Sequence, residues 1–167
     1  MARFIKDGTA ALYVRGDNGR YRAATPNEVT SSAAAYLVRE LVDQPVLESP
    51  DAVRQFLRCR FANLDYEVFA ALFLDNRHRL IDYVEIFRGT IDGCSVHPRE
   101  VVKEALERSA AACIFTHGHP SGNAEPSLSD EQITRRLKSA LGLLDIRVLD
   151  HLVVGNDIVS MAERGMI

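Results

Sequence analysis

The sequence predicts an α/β (α+β) domain in which a mixed β-sheet is flanked by helices, and three observations carry that reading. Glu67 precedes a continuous apolar run, VFAALFL, which is short for a helix and suited to a strand buried on both faces. AACIFTH and RVLDHLVVG repeat that texture further along the chain. The stretches around them, VVKEALERSA and DEQITRRLKSALGLL, have the composition of helices, and strands interleaved with helices describe a covered sheet.

The elements follow in chain order. Residues 10–24, AALYVRGDNGRYRAA, predict a short hairpin turning at Asp17-Asn18-Gly19, where Asn and Gly can both take positive φ. Thr25-Pro26-Asn27-Glu28 supplies an N-cap, a proline at the first helical position and a glutamate three residues after the cap. That helix runs through SSAAAYLVRELV and ends near Gln44-Pro45. Ser49-Pro50-Asp51 opens a second helix through AVRQFLRCRF. After the apolar run, Asn76 marks a turn, and HRLIDYVEIFRGT is the returning strand of a meander. His97-Pro98-Arg99-Glu100 starts the third helix, AACIFTH is the next strand, and the polar segment GHPSGNAEPSLS leads into the fourth helix. RVLDHLVVG is the last strand. There is no internal repeat, and the chain divides into an N-terminal hairpin-and-helix extension, residues 1–47, and a main domain, residues 48–167.

Composition narrows the function classes. A chain of 167 residues, 47% hydrophobic and 26% charged, builds a core without disulfides or structural metal, so a metal here serves function rather than folding. The net charge of −3 counts against broad non-specific nucleic-acid binding, though not against a local basic patch. Cys59, Cys94 and Cys113 are odd in number and form no CxxC pair, as in reduced, cytoplasmic proteins. The N-terminus, MARFIKDGTA, has no apolar stretch of signal-peptide length, and no run approaches a membrane span.

Residues 116–130, THGHPSGNAEPSLSD, concentrate the chemistry. If the strand continues briefly, His117 and His119 point to one face, because side chains alternate. Pro120-Ser121-Gly122 then turns the chain, with Ser121 securing the turn, and Asp130 falls in the first turn of the next helix. Two imidazoles and a carboxylate make the three-ligand pattern of catalytic zinc, with a fourth position left for water. The same residues also read as a strand, a turn and a capped helix: Ser127 stands to Asp130, and Ser129 to Gln132, as the two ends of a capping box.

The string H-x-H-x7-S-x2-D, met by His117, His119, Ser127 and Asp130, resembles the JAMM motif of MPN-domain zinc metallopeptidases. HPSGNAEPSLSD, RVLDHLVVG and FRGTIDGCSVHPRE together resemble the bacterial RadC-like family, over roughly residues 50–167. The resemblance implies an MPN/JAB-like fold of cytidine-deaminase-like architecture, with one zinc ion per chain at the end of a central strand. It implies hydrolysis of an amide or isopeptide bond in a peptide or protein substrate. His117, His119 and Asp130 would hold the metal, and Ser127 would stabilise the oxyanion. Glu67, at the lip of its buried strand, would be the general base and acid. Glu85, mid-strand and facing solvent, and Glu100, at a helix start, are its rivals.

Two features depart from the family. Gly118 stands between the histidines where relatives often carry a larger polar residue, and the N-terminal segment lacks the family's upstream helical region suggestive of DNA binding. The alternative function is a non-catalytic or DNA-associated accessory protein that keeps the MPN fold, for which the basic helix face of Arg135, Arg136 and Lys138 is the support; such a face is ordinarily just solvated. A zinc nucleobase deaminase is excluded, because no His-x-Glu or Cys-x-Glu pair precedes a Pro-Cys-x-x-Cys. Of the remaining residues, His151 reads as a buried, hydrogen-bonded histidine, His97 as part of a helix start, His78 as part of an exposed turn and Cys113 as core.

Overall fold

The computed structural model describes residues 12–43, 50–62, 64–89 and 96–167. The helix end at Gln44-Pro45, the start at Ser49, and Cys94 with the rest of residues 90–95 lie outside the described residues. Local punctuation sets the first elements. β1 (Tyr13–Arg15) and β2 (Tyr21–Ala23) pair antiparallel around the expected turn. Gly19 supplies the positive φ, 75°, whereas Asn18 works through its side chain instead: its Oδ1 accepts from Arg20 N at 3.0 Å. α1 (Pro26–Asp43) opens with a capping box, Thr25 Oγ1 accepting from Glu28 N at 3.3 Å and Glu28 Oε2 from Thr25 N at 2.8 Å. Arg22 forks onto the same carboxylate at 2.8 and 2.6 Å, tying the hairpin to the helix.

α2 (Pro50–Phe61) is followed by β3 (Val68–Leu74), β4 (Leu80–Arg88), α3 (Pro98–Glu107), β5 (Ala112–Gly118), α4 (Leu128–Gly142), β6 (Arg147–Val154) and β7 (Ile158–Ser160). The five-stranded sheet has the order β4-β3-β5-β6-β7. All its pairings are antiparallel except β5 with β6, whose crossover contains α4. β7 has no counterpart in the sequence reading, since three residues are too few to show a period. The turn before β4 also differs: His78 takes φ 59° and is half-buried, because the tight Asp75–Arg79 hairpin folds it inward, away from the exposure expected of it.

Both faces of the sheet are covered, which explains why all seven residues of β3 are apolar and buried. On one face Phe69, Phe73 and Phe115 pack with Val101 of α3 and Leu137 of α4. On the other, Leu72, Leu74 and Leu152 pack with Phe56 and Leu57 of α2 and with Ala34 and Leu41 of α1. α1, assigned to the extension on sequence, thus contributes side chains to the second core. Among the described residues no helix is long and apolar enough to cross a membrane.

One irregularity bears on the site. Cys113 pairs with Val148, but the next residue, Ile114, pairs with Asp150, leaving Leu149 as an extra residue in β6. This bulge re-phases the strand, so that His151 lies opposite Phe115 on the α3/α4 face.

Candidate metal centre

β5 ends at the mouth of the α3/α4 layer, and its alternation places His117 and His119 on one side, their ring centroids 4.6 Å apart. His119 N donates to Val154 O at 2.8 Å, so the strand geometry persists one residue past β5 before the chain turns. Gly122 takes φ 81° in that turn, its amide donating to His119 O at 2.9 Å and its carbonyl accepting from Asn156 N at 2.7 Å. A side chain at Gly155 would overlap the Gly122 carbonyl, so the two loops pack backbone to backbone. Ser121 sits in this turn as expected, with its Oγ 3.4 Å from Asn123 N.

Ser127 is the N-cap of α4, and of the two capping pairs read from the sequence this one forms: Asp130 N donates to Ser127 Oγ at 3.2 Å, and Ser127 N to Asp130 Oδ2 at 2.7 Å, whereas Ser129 lies within the helix. The same residue also faces the two histidines. Asp130 Oδ1 lies 3.3 Å from His117 Nε2, Oδ2 lies 3.8 Å from His119 Nε2, and the two imidazole nitrogens are 2.9 Å apart. The alternatives posed by the sequence are therefore not exclusive, because a carboxylate has lone pairs enough for both. Burial opposes ionisation of Asp130, but its contact with His117 and the hydrogen bonds from Ser127 outweigh it, holding the carboxyl well below its ordinary range.

The donor set fits a metal ion. His119 Nδ1 lies 2.7 Å from the carbonyl oxygen of Asn123, which only accepts; that nitrogen carries the ring proton, and Nε2 faces the site as a bare lone pair. Together with a carboxylate and His117 Nε2, all within 4.8 Å of one another, it makes a concentrated array of acceptors that a cation satisfies.

A cavity of about 500 Å³ opens beside this group, lined by His117, Asp130, Glu67 and Phe69 among others. Glu67 is half-buried at the head of β3, two residues before Phe69, the β3 partner of His117. Glu85 lies elsewhere: it pairs with Ala70 on the α1/α2 side and forms an ion pair with Arg60. Glu100 is a helix-start residue, as expected, bonded to Arg99 at 3.2 Å. Ser127 is next to the group, but its hydroxyl donates to Asp130 Oδ2 at 2.6 Å. The basic face of α4 is divided. Arg135 pairs with Glu131 at 2.6 Å, while Arg136 lines the cavity, a placement the sequence reading missed.

Behind His117 lies a buried group whose partners the sequence reading did not assign. His151 is buried and hydrogen-bonded as expected, but its partner is His117, with Nε2 2.8 Å from His117 Nδ1. Its own Nδ1 is 2.6 Å from Thr134 Oγ1, which lies 2.6 Å from Asp130 O. Burial first, then the neighbouring His117, lowers the pKa of His151 well below the ordinary histidine value. Asp150 does not touch the ring; it accepts from His151 N, Ser160 Oγ and Ala162 N.

Gly118 is explained by packing. A Cβ at this position would overlap the ring of Phe61 at the end of α2.

Comparison with known proteins agrees with this arrangement. A family model described as the RadC-like JAB domain matches residues 47–166. A UPF0758 protein of Thioalkalivibrio sulfidiphilus is 56% identical over 149 residues, covering 89% of this chain and 67% of the relative. One from Marinobacter nauticus is 58% identical over 140 residues, 80% of this chain and 62% of the relative, so this chain spans less than two thirds of that protein. One from Vibrio cholerae is 54% identical over 142 residues, 85% of this chain and 90% of the relative. With the mixed sheet, its two helical layers and the His117, His119 and Asp130 group at the end of β5 in place, the chain belongs to the bacterial RadC-like family and carries its MPN/JAB-type domain.

Proposed function

We propose that the protein is a zinc-dependent hydrolase of amide or isopeptide bonds with a JAMM-type site, acting on a peptide or protein substrate in the cytoplasm. The observation that carries this reading is the position of Glu67, which lines the same cavity as His117 and Asp130. Zinc suits two imidazoles and one carboxylate, and bound by His117, His119 and Asp130 it would supply a Lewis acid that acidifies water and polarises a carbonyl. Glu67 takes the proton of the attacking water and returns it to the departing amine. Asp130 stays ionised, because its carboxyl is held below the ordinary range. Ser127 reaches a developing oxyanion by rotating its hydroxyl off Asp130 Oδ2. The free thiols of Cys59 and Cys113 are in keeping with a reducing compartment.

The test is metal content of the protein purified without a histidine tag, followed by turnover of peptide and isopeptide substrates. About one zinc per chain is expected, lost in His119→Ala and Asp130→Ala with the fold intact. Glu67→Ala is expected to keep the zinc and lose roughly 10²- to 10⁴-fold in turnover. Full activity in that variant removes Glu67 from the mechanism; no zinc uptake by the wild type removes the metal.

A further inference from the structure

The hydrogen bonds behind His117 can be read for direction, starting from a group with no choice. The carbonyl oxygen of Asp130 only accepts, so Thr134 Oγ1, 2.6 Å away, donates its proton there. That leaves Thr134 only lone pairs to offer His151 Nδ1 at 2.6 Å, and this nitrogen must carry a proton. His151 is fully buried and packs at a steep angle against Phe69 and Phe115, and among the described residues its ring nitrogens meet His117 and Thr134 rather than a carboxylate. A fully buried ring that forms no ion pair is neutral, so its Nε2 is bare and accepts. His117 Nδ1, 2.8 Å away, is therefore the donor.

We propose that His151 and Thr134 are positioning residues for the metal: they hold the proton of His117 on Nδ1 and so present Nε2 to the ion as a bare lone pair. The inference rests on the metal reading above. The two ligand histidines are oriented by different means. The backbone carbonyl of Asn123 does this for His119, whereas His117 depends on two side chains from α4 and β6. The bulge at Leu149 is what puts His151 on this face, and without it Asp150 and His151 would exchange sides. The relay also begins and ends on ligand residues, since Thr134 bonds the main chain of Asp130 while His151 bonds the ring of His117. The orientation of one ligand is thus referred to the backbone of another.

The experiment uses the untagged full chain and has two readouts besides turnover. Zinc affinity is measured by chelator competition in wild type, Thr134→Val, His151→Leu and His151→Gln, with melting temperatures as a folding control. Thr134→Val and His151→Leu are expected to bind zinc about 10- to 100-fold more weakly, the usual effect of removing a partner behind a ligand histidine. His151→Gln, whose amide oxygen can accept from His117 Nδ1, is expected to recover most of that loss. Nitrogen-15 spectra of the wild-type rings, at a pH where they are neutral, should show the His117 proton on Nδ1. Affinities within about twofold of wild type in both apolar variants overturn the proposal, as does a His117 proton on Nε2. Should the variants not fold, the wild-type tautomers decide. A wild type that takes up no zinc removes the metal reading, and the tautomers still show whether the relay runs in this direction.

Discussion

At Asp130 a single carboxylate completes a capping box and faces two imidazoles, so substitutions there separate into two effects. Asp130→Asn keeps an acceptor for the Ser127 amide but has no charge to offer a cation; it is expected to take up no zinc, with a urea midpoint close to that of metal-free wild type. Asp130→Ala loses both, and the missing cap adds a cost of about 1 kcal/mol. Equal midpoints for the two variants would show that the cap contributes nothing. Ser127→Ala divides differently. As a cap residue alone it would cost about 1 kcal/mol and leave turnover unchanged, whereas an oxyanion donor predicts an additional loss of roughly 10²-fold or more in kcat. Comparing kcat with the unfolding midpoint distinguishes these roles, and the expectation is that both fall.

Among the elements, α1 offers a pH test. Its Glu28 carboxyl is drawn from 4.5 down to about 2, chiefly by the hydrogen bond from Arg22 and then by the Thr25 amide. A depressed carboxyl stabilises the fold fully above its ordinary value and loses that contribution as pH falls through the folded value. The melting-temperature difference between wild type and Glu28→Gln should be constant down to about pH 4.5 and vanish as pH approaches 2. A difference that persists at low pH would assign the effect to shape rather than charge. At the junction of α2 and β5, Gly118→Ala forces a methyl group into the Phe61 ring and should cost about 1–3 kcal/mol, with part of it recovered in combination with Phe61→Ala. These elements also show what the sequence makes legible. Caps and turns such as Thr25–Glu28 and Ser127–Asp130 announce themselves because their chemistry lies within a few residues. The apolar runs of β3 and β5 do so because both faces are buried. The grouping of His117, His119 and Asp130 is legible because His-x-His obeys a period of two and Asp130 sits at a helix start. His151 is not, because the extra residue Leu149 breaks the period that would reveal its facing, and bulges leave no mark in composition. Arg136 shares that difficulty, since the cavity beside it is assembled from β3, the residues leading into α3, β5 and α4.

Across the whole molecule, the sheet separates two cores that do different work. The α3/α4 layer holds the site, while the α1/α2 layer backs the sheet on its far side. Leu41, 1% exposed, joins α1 to that backing, and Leu41→Ala should destabilise by about 2–5 kcal/mol in urea unfolding while leaving zinc stoichiometry unchanged. A cost well below this range would show α1 to be an appendage to the domain. The shared carboxylate has one further consequence, and it concerns time. Asp130 Oδ2 pins the Ser127 amide, so if this carboxylate also held an ion, fraying of the first turn of α4 and departure of the metal would become steps of one motion. The exchange of that amide with heavy water would then be a clock for the residence of the ion, slowing as the ion stays longer.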